Sequence, residues 1–334
     1  MKDAIINGYP GKKNILFYAQ NANQLIGIKE GGKIKMANGT QTSSFGTSAR
    51  INHDSSKFYN SRMYKELDAV KSQAVQKENL IPKDGMNKIY CSSSENMKGI
   101  PDNSVHLMIT SPPYNVGKDY DKDMNLQEYL SMLRNVLEET KRVLVDGGRV
   151  CINIANLGRK PYLPLHSYII QIMSELGFLM RGEIIWDKSS SAGTSTAWGS
   201  WKSAKNPILR DVHEYILIFS KESYSRNTPN NAKKKDSIKK EEFMEFTKSI
   251  WNFSATSAKK IGHPAPFPEE LPRRLIELYS FQEDIVLDPF MGSGQTAIEA
   301  IKCRRNYIGY DVNRDYCKLA EERIKKVNSQ TKLA

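Results

Sequence analysis

The chain reads as an α/β protein built on a doubly wound, mostly parallel sheet. Two observations predict this class. From residue 88 onward, short apolar runs alternate with amphipathic helical stretches. Strands that take turns with helices need crossover connections, and crossovers bring helices onto both faces of a parallel sheet.

The elements follow in order. Residues 88–91 and 105–110 (VHLMIT) read as strands. Residues 126–145 read as a helix, because Leu126, Tyr129, Leu130, Leu133, Val136, Leu137 and Leu144 recur at three- and four-residue spacing. Gly147 and Gly148 are expected to close it, and 149–155 (RVCINIA) to be a buried strand. Residues 164–176 are predicted helical, with Gly177 as the stop. Strands are expected at 180–186 and 215–219, a helix at 272–279, a strand at 284–288, a helix at 295–302, a strand at 307–311 and a closing helix at 315–327. Residues 1–62 differ in texture: they are rich in Asn, Gly and Gln, with six serines between Asn38 and Arg62. A strand pair at 15–18 and 25–28 is expected there, within an extension or arm. No solenoid-length repeat is present.

Composition bounds the partners. A chain of 334 residues is long enough for about two domains or for one large domain with an insertion. It is 39% hydrophobic and 26% charged, which supplies a core and excludes wholesale disorder. No apolar run approaches the length of a membrane span, and the first eleven residues do not read as a secretory signal. Lys and Arg number 49 against 37 Asp and Glu, a net +12, which favours a polyanionic partner. The excess is concentrated at 221–260, where ten basic residues face five acidic ones. A solvated insertion and a phosphate-contacting element both fit that charge. Cys91, Cys151, Cys303 and Cys317 are scattered without a C-x-x-C pair, so the expectation is no disulfide framework, no metal and a reducing cytoplasm.

Two motifs carry chemistry. The expected strand 284–288 runs through Asp288 into Pro289-Phe290-Met291-Gly292-Ser293-Gly294, then into a helix that carries Thr296 in its first turn. A strand, a glycine turn and a helix N-terminus cradle a nucleotide-like ligand, since glycine lets the backbone approach without a Cβ clash. Asp311 follows 23 residues after Asp288, where it would accept hydrogen bonds from a ribose diol. Position 297 is Ala, so the turn departs from the diphosphate-binding G-x-G-x-x-G pattern and suits a cofactor without phosphates, such as S-adenosylmethionine. A structural turn is the competing reading.

The other motif is Thr110-Ser111-Pro112-Pro113-Tyr114, directly after a strand. Two prolines fix φ and remove two backbone donors, which leaves a rigid loop of acceptors. The Ser111 hydroxyl and the Pro112 carbonyl would accept from the amino group of a planar ring, and Tyr114 would stack on it. A plain strand-to-loop turn is the alternative.

S-P-P-Y together with D-P-F-x-G-S-G-x-T resembles the amino-group DNA methyltransferases, and the order of the blocks resembles the permuted β group of that family. The likeness spans roughly 80–327 and includes Trp198-Gly199-Ser200-Trp201, RDVHEYILIFSK at 210–221 and HPAPFPEELPRR at 263–274. The resemblance implies a Rossmann-like methyltransferase fold. It divides the chain into an N-terminal arm (1–79), a catalytic half with the target-base motif (80–220), a basic target-recognition insertion (221–260) and a cofactor half (261–334). Asp288, Phe290, Gly292, Ser293, Gly294, Thr296 and Asp311 would line S-adenosylmethionine, with His263 and Pro264 packing on it from the preceding helix. Ser111, Pro112, Pro113 and Tyr114 would hold a base flipped out of double-stranded DNA. Ser in the first motif position is commonest among enzymes that methylate the cytosine N4 amino group, Asp or Asn among adenine N6 enzymes. Methylation at cytosine ring carbon 5 would need a Pro-Cys nucleophile, and the residues before the cysteines are Tyr90, Val150, Lys302 and Tyr316.

For DNA contact the expectation falls on Trp198 and Trp201 and on Lys233, Lys234, Lys235, Lys239 and Lys240 in the insertion, with a buried aromatic pair and a solvated face as the alternatives. Arg210 and His213 fit either a DNA-facing or a structural role. Residues 43–64 resemble text in relatives that methylate short palindromes such as CTAG. A restriction endonuclease is the partner such an enzyme implies, with the chain itself a monomer or homodimer. A protein glutamine methyltransferase and a DNA-binding protein with a decayed site are the rivals. The first usually carries its cofactor block before its N-P-P-Y, and the second would not keep both loops intact.

Overall fold

A computed structural model describes residues 15–20, 23–30, 33–36, 61–67, 77–114, 124–189, 199–226, 234–255 and 267–331. The chain divides into two compact units, 1–71 and 72–334. In the first, β1 (Ile15–Gln20), β2 (Asn23–Glu30) and β3 (Lys33–Met36) form an antiparallel sheet, and α1 spans Arg62–Leu67. Ile15 pairs with Ile28 and Tyr18 with Leu25, as the expected strand pair requires.

The second unit is the doubly wound sheet. Its strands are β4 (Lys88–Tyr90), β5 (Val105–Thr110), β6 (Leu144–Ile154), β9 (Phe178–Asp187), β10 (His213–Lys221), β11 (Ile250–Asn252), β12 (Ile285–Asp288) and β13 (Asn306–Tyr310); β7 (Leu157–Gly158) and β8 (Tyr162–Leu163) form a separate small ribbon. The order is β11-β9-β10-β6-β5-β12-β13-β4. β10 pairs antiparallel with both its neighbours and every other pairing is parallel. All six residues of β5 are buried, as a strand covered on both faces must be.

Helices α2 (Leu126–Val143) and α3 (Leu165–Glu175) cover one face through Leu133, Val136, Ile169 and Met173. Helices α5 (Glu270–Tyr279), α6 (Gln295–Lys302) and α7 (Arg314–Thr331) cover the other through Leu271, Leu275, Ile298 and Ile324. Helix α2 starts on a reciprocal cap: Glu128 N donates to the Asn125 side chain (3.0 Å), and Asn125 N donates to the Glu128 carboxylate (2.9 Å). It ends at Val143, before the glycines expected to stop it. The next residue, Leu144, already pairs with Val105, so Gly147 and Gly148 lie inside β6. Long-range pairing overrides the glycine stop signal here.

The described part of 221–260 supplies the end of β10, the short helix α4 (Lys240–Phe246) and the edge strand β11. No helix among the described residues is long and apolar enough to cross a membrane.

Candidate active site

Strand order reverses between β5 and β12, which are neighbours whose next connections run to opposite sides. Ligands of doubly wound sheets bind beyond the strand C-termini at such a point. Both sequence motifs sit there.

Asp288, the last residue of β12, is fully buried. Thr110 Oγ1, at the end of β5, donates to it at 2.7 Å, Thr296 Oγ1 from the first turn of α6 at 2.6 Å, and Phe290 N at 3.1 Å. Burial outweighs these three bonds and pushes the carboxyl up to about 6. Asp288 therefore braces both loops from beneath. The glycine turn then folds onto Asp311, just beyond β13. Gly292 N and Asn313 N each donate to that carboxylate at 2.8 Å, and burial raises its pKa. Gly294 caps α6 at φ 82°, and a Cβ there would lie 2.9 Å from Cβ of Ala320 in α7. Glycine is thus required by conformation and by close approach. Ser293 is buried, and its carbonyl accepts from Arg323. Phe290 packs against the core and shares a small apolar cavity with Thr110, Pro112, Leu133 and Ile169.

The donor set fits S-adenosylmethionine. Two carboxylates at adjacent strand ends disfavour a diphosphate and favour a sulfonium and an ammonium. Asp311 spends one acceptor position of each oxygen on backbone, and a carboxylate has about four, which leaves capacity for ribose hydroxyls.

The loop 111–114 is tied to the strand behind it. Pro112 is buried, while Ser111, Pro113 and Tyr114 are half-buried. The Ser111 and Tyr114 hydroxyls lie 3.3 Å apart, and the Tyr114 hydroxyl donates weakly to Glu214 across 3.5 Å. Burial first, then Glu214, holds the phenol well above its usual range. Glu214 also accepts from Asn153 Nδ2 at 2.5 Å and from the Lys188 ammonium. Asn153 is buried at the end of β6, and its Oδ1 has no partner among the described residues. Sequence reasoning missed Glu214, Asn153 and Lys188. The signals that could have found them were an acid opening an otherwise apolar strand (HEYILIF) and an amide inside another (VCINIA).

The DNA-contact expectations disperse. Lys234 donates to Asp284 at 3.0 Å, at the start of β12 and thus at the opposite end of the sheet from Asp288. The Lys235 carbonyl accepts from Gln282 N at that same end. Lys239 and Lys240 are exposed at the N-terminus of α4. Trp201 is 68% exposed, so it is no buried partner. His213 meets Tyr215 edge-on. Trp198, Lys233, His263, Pro264 and residues 43–60 lie outside the described residues.

The sheet, the glycine turn on Asp311 and the acceptor loop beside it together define an S-adenosylmethionine-dependent methyltransferase. A family profile described as DNA methylase, of the N6 and N4 type, matches residues 105–322, and the chain belongs to that family. It is 35% identical over 281 residues to the type II methyltransferase M.MjaI of Methanocaldococcus jannaschii, covering 71% of this chain and 91% of that one. It is 31% identical to M.MthZI of Methanothermobacter thermautotrophicus, covering 71% and 76%. Among solved structures, TTHA0409 of Thermus thermophilus superposes with a TM-score of 0.58 at 31% identity over 72% of this chain and 95% of that one; it has also been solved with S-adenosyl-L-methionine. The cofactor is S-adenosylmethionine. Among the described residues no group of three or more His, Cys, Asp and Glu could hold a metal ion.

Proposed function

We propose that the chain is a site-specific DNA methyltransferase of the β group that methylates the exocyclic N4 amino group of a flipped cytosine. It would act in a prokaryotic cytoplasm as the modification half of a restriction pair. The observation that carries the reading is the acceptor-rich loop 111–114 braced against the cofactor turn through Thr110 and Asp288. Its type II relatives support the restriction context.

The bound cofactor supplies a methyl group already activated on a sulfonium. The chain's contribution is then positional. The Ser111 hydroxyl and the Pro112 carbonyl accept hydrogen bonds from the amino group and draw the nitrogen lone pair out of ring conjugation. Prolines 112 and 113 offer no competing backbone donor. Glu214, with Asn153 and Lys188, holds Tyr114 against the loop. Asp311 and the turn 292–294 orient the cofactor from the other side. Ser111 both donates and accepts, which suits a ring that presents an acceptor nitrogen beside its amino group.

The test is nucleoside analysis of DNA after incubation with the protein and labelled S-adenosylmethionine. N4-methylcytosine is expected. N6-methyladenine would replace the base assignment, and 5-methylcytosine would overturn the mechanism.

A further inference from the structure

The connection from β9 to β10 leaves from the same end of the sheet as the target loop. Asp187, the last residue of β9, pairs with His213, next to the Glu214 that holds Tyr114. Within this connection, residues 199–210 form a pinned turn. Gly199 bridges Pro207, Ser200 N donates to Asn206 O (2.9 Å), and Asn206 N donates to Ser200 Oγ (2.8 Å). Ser200 Oγ donates to Ser203 O (2.8 Å). Gly199 sits at φ 81°, where a Cβ would lie 2.1 Å from Asn206 O. The root is tied to the ribbon between β7 and β8: Arg159 Nε donates to Leu209 O (3.2 Å) and its guanidinium pairs with Asp211 (2.9 Å).

A turn so fixed still leaves large apolar side chains in water. Trp201 is 68% exposed and Leu209 85% exposed. The Lys202 ammonium stands 5.8 Å from the centre of the Trp201 ring. Lys202, Lys205 and Arg210 lie within 199–210, and no acidic residue does. An exposed indole on a pinned turn, beside Lys202 and in a stretch whose charges are all positive, matches a stacked base between two phosphates. The basic segment farther along offers a poorer match, because Lys234 is taken by Asp284 at the far end of the sheet.

We propose that this turn opens duplex DNA: Trp201 enters the base stack where the target base leaves, and Lys202 and Lys205 bind the flanking phosphates. Aromatic wedges of this kind stabilise an opened duplex by replacing lost stacking. The inference rests on the reading of the chain as a DNA methyltransferase. It assigns the opening step to 199–210 and not to the basic segment 221–260.

The test uses the full chain and two versions of a duplex containing its methylated site. One is fully paired. The other places the target base opposite an abasic position, where flipping costs little. Trp201→Ala should lower kcat/KM on the paired duplex by roughly tenfold to a hundredfold, as loss of one base–aromatic stack does. The abasic duplex should restore most of that loss, and Trp201→Phe should fall between. An equal loss on both duplexes, or no loss on either, overturns the proposal. The double variant Lys202→Ala/Lys205→Ala should flatten the slope of log affinity against log salt by about 2; an unchanged slope removes the phosphate contacts. Methylation by the unaltered protein on the paired duplex is the separate check on the enzymatic reading, whose failure shows as no modified base on any DNA.

Discussion

The Thr110 hydroxyl donates to the Asp288 carboxylate across 2.7 Å, a side-chain link added to the backbone pairing of β5 with β12 at the ends that lead into loop 111–114 and the glycine turn. Hydrogen bonds to a charged acceptor contribute about 1.5–3 kcal/mol. Thr110→Val keeps the shape and removes the donor, so it should cost about that much in urea unfolding and lower methyl transfer more than cofactor binding. Thr110→Ser should recover both. A Thr110→Val protein with unchanged stability would show the bond to be idle.

Asp288 should also mark the pH dependence of stability. Its ordinary value is 3.8 and its folded value is about 6. A carboxyl with a raised folded pKa binds its proton more tightly in the folded state, so its contribution is greatest below about 3.8 and is lost as pH rises through about 6. Relative to Asp288→Asn, the native protein should lose about 1 kcal/mol of stability between roughly pH 5 and 7.5. Parallel stability curves for the two proteins across that window would contradict the assignment.

Glu214 holds Tyr114, Asn153 and Lys188 from one carboxylate. Glu214→Ala leaves a buried amide donor and an ammonium unpaired and should cost about 1–3 kcal/mol. Methyl transfer should fall with it, through kcat more than KM for DNA. Tyr114→Phe, which keeps the ring, should lose less activity than Tyr114→Ala. Equal activities for the two Tyr114 variants would remove the ring from catalysis and leave any shared loss to the hydroxyl.

At the other end of the sheet, fully buried Asp284 accepts from Arg226, Lys234 and Phe281 N, with His106 3.9 Å away. Burial raises its carboxyl, but His106, Arg226 and Lys234 outweigh burial and hold it below the ordinary range. Removing one partner of a buried pair costs about 3–5 kcal/mol. Asp284→Ala should therefore lower stability by that order while leaving kcat of the folded fraction near normal. A selective loss of activity at unchanged stability would refute a purely structural role.

Gly294→Ala brings a methyl group to 2.9 Å from Ala320 and places a side chain at φ 82°. It should weaken S-adenosylmethionine binding, measured by calorimetry, and cost about 1–3 kcal/mol in stability. Native affinity in this variant would mean that α6 and α7 part without disturbing the turn.

Much of the fold is legible in the sequence. Helix α6 falls at 295–302 as its pattern predicts, and β12 and β13 lie within a residue of expectation at either end. These are short-range signals: side-chain period, a capping residue, a glycine turn. Gly147 and Gly148 mislead because strand pairing with β5 begins at Leu144, and the pairing partner is nearly forty residues away in the chain.

Two motifs carry the resemblance from which the cofactor class and the family could be read, because a proline-locked acceptor loop and a phosphate-free glycine turn are local chemistry written in consecutive residues. Which distant groups serve them follows from the folded chain. Glu214 reaches Tyr114 from 100 positions away, and Asp288 turns inward to brace two loops. Lys234 gives its charge to Asp284 while Trp201 stays in water. Such pairings depend on strand order and register, which bring together residues whose spacing along the chain carries no period.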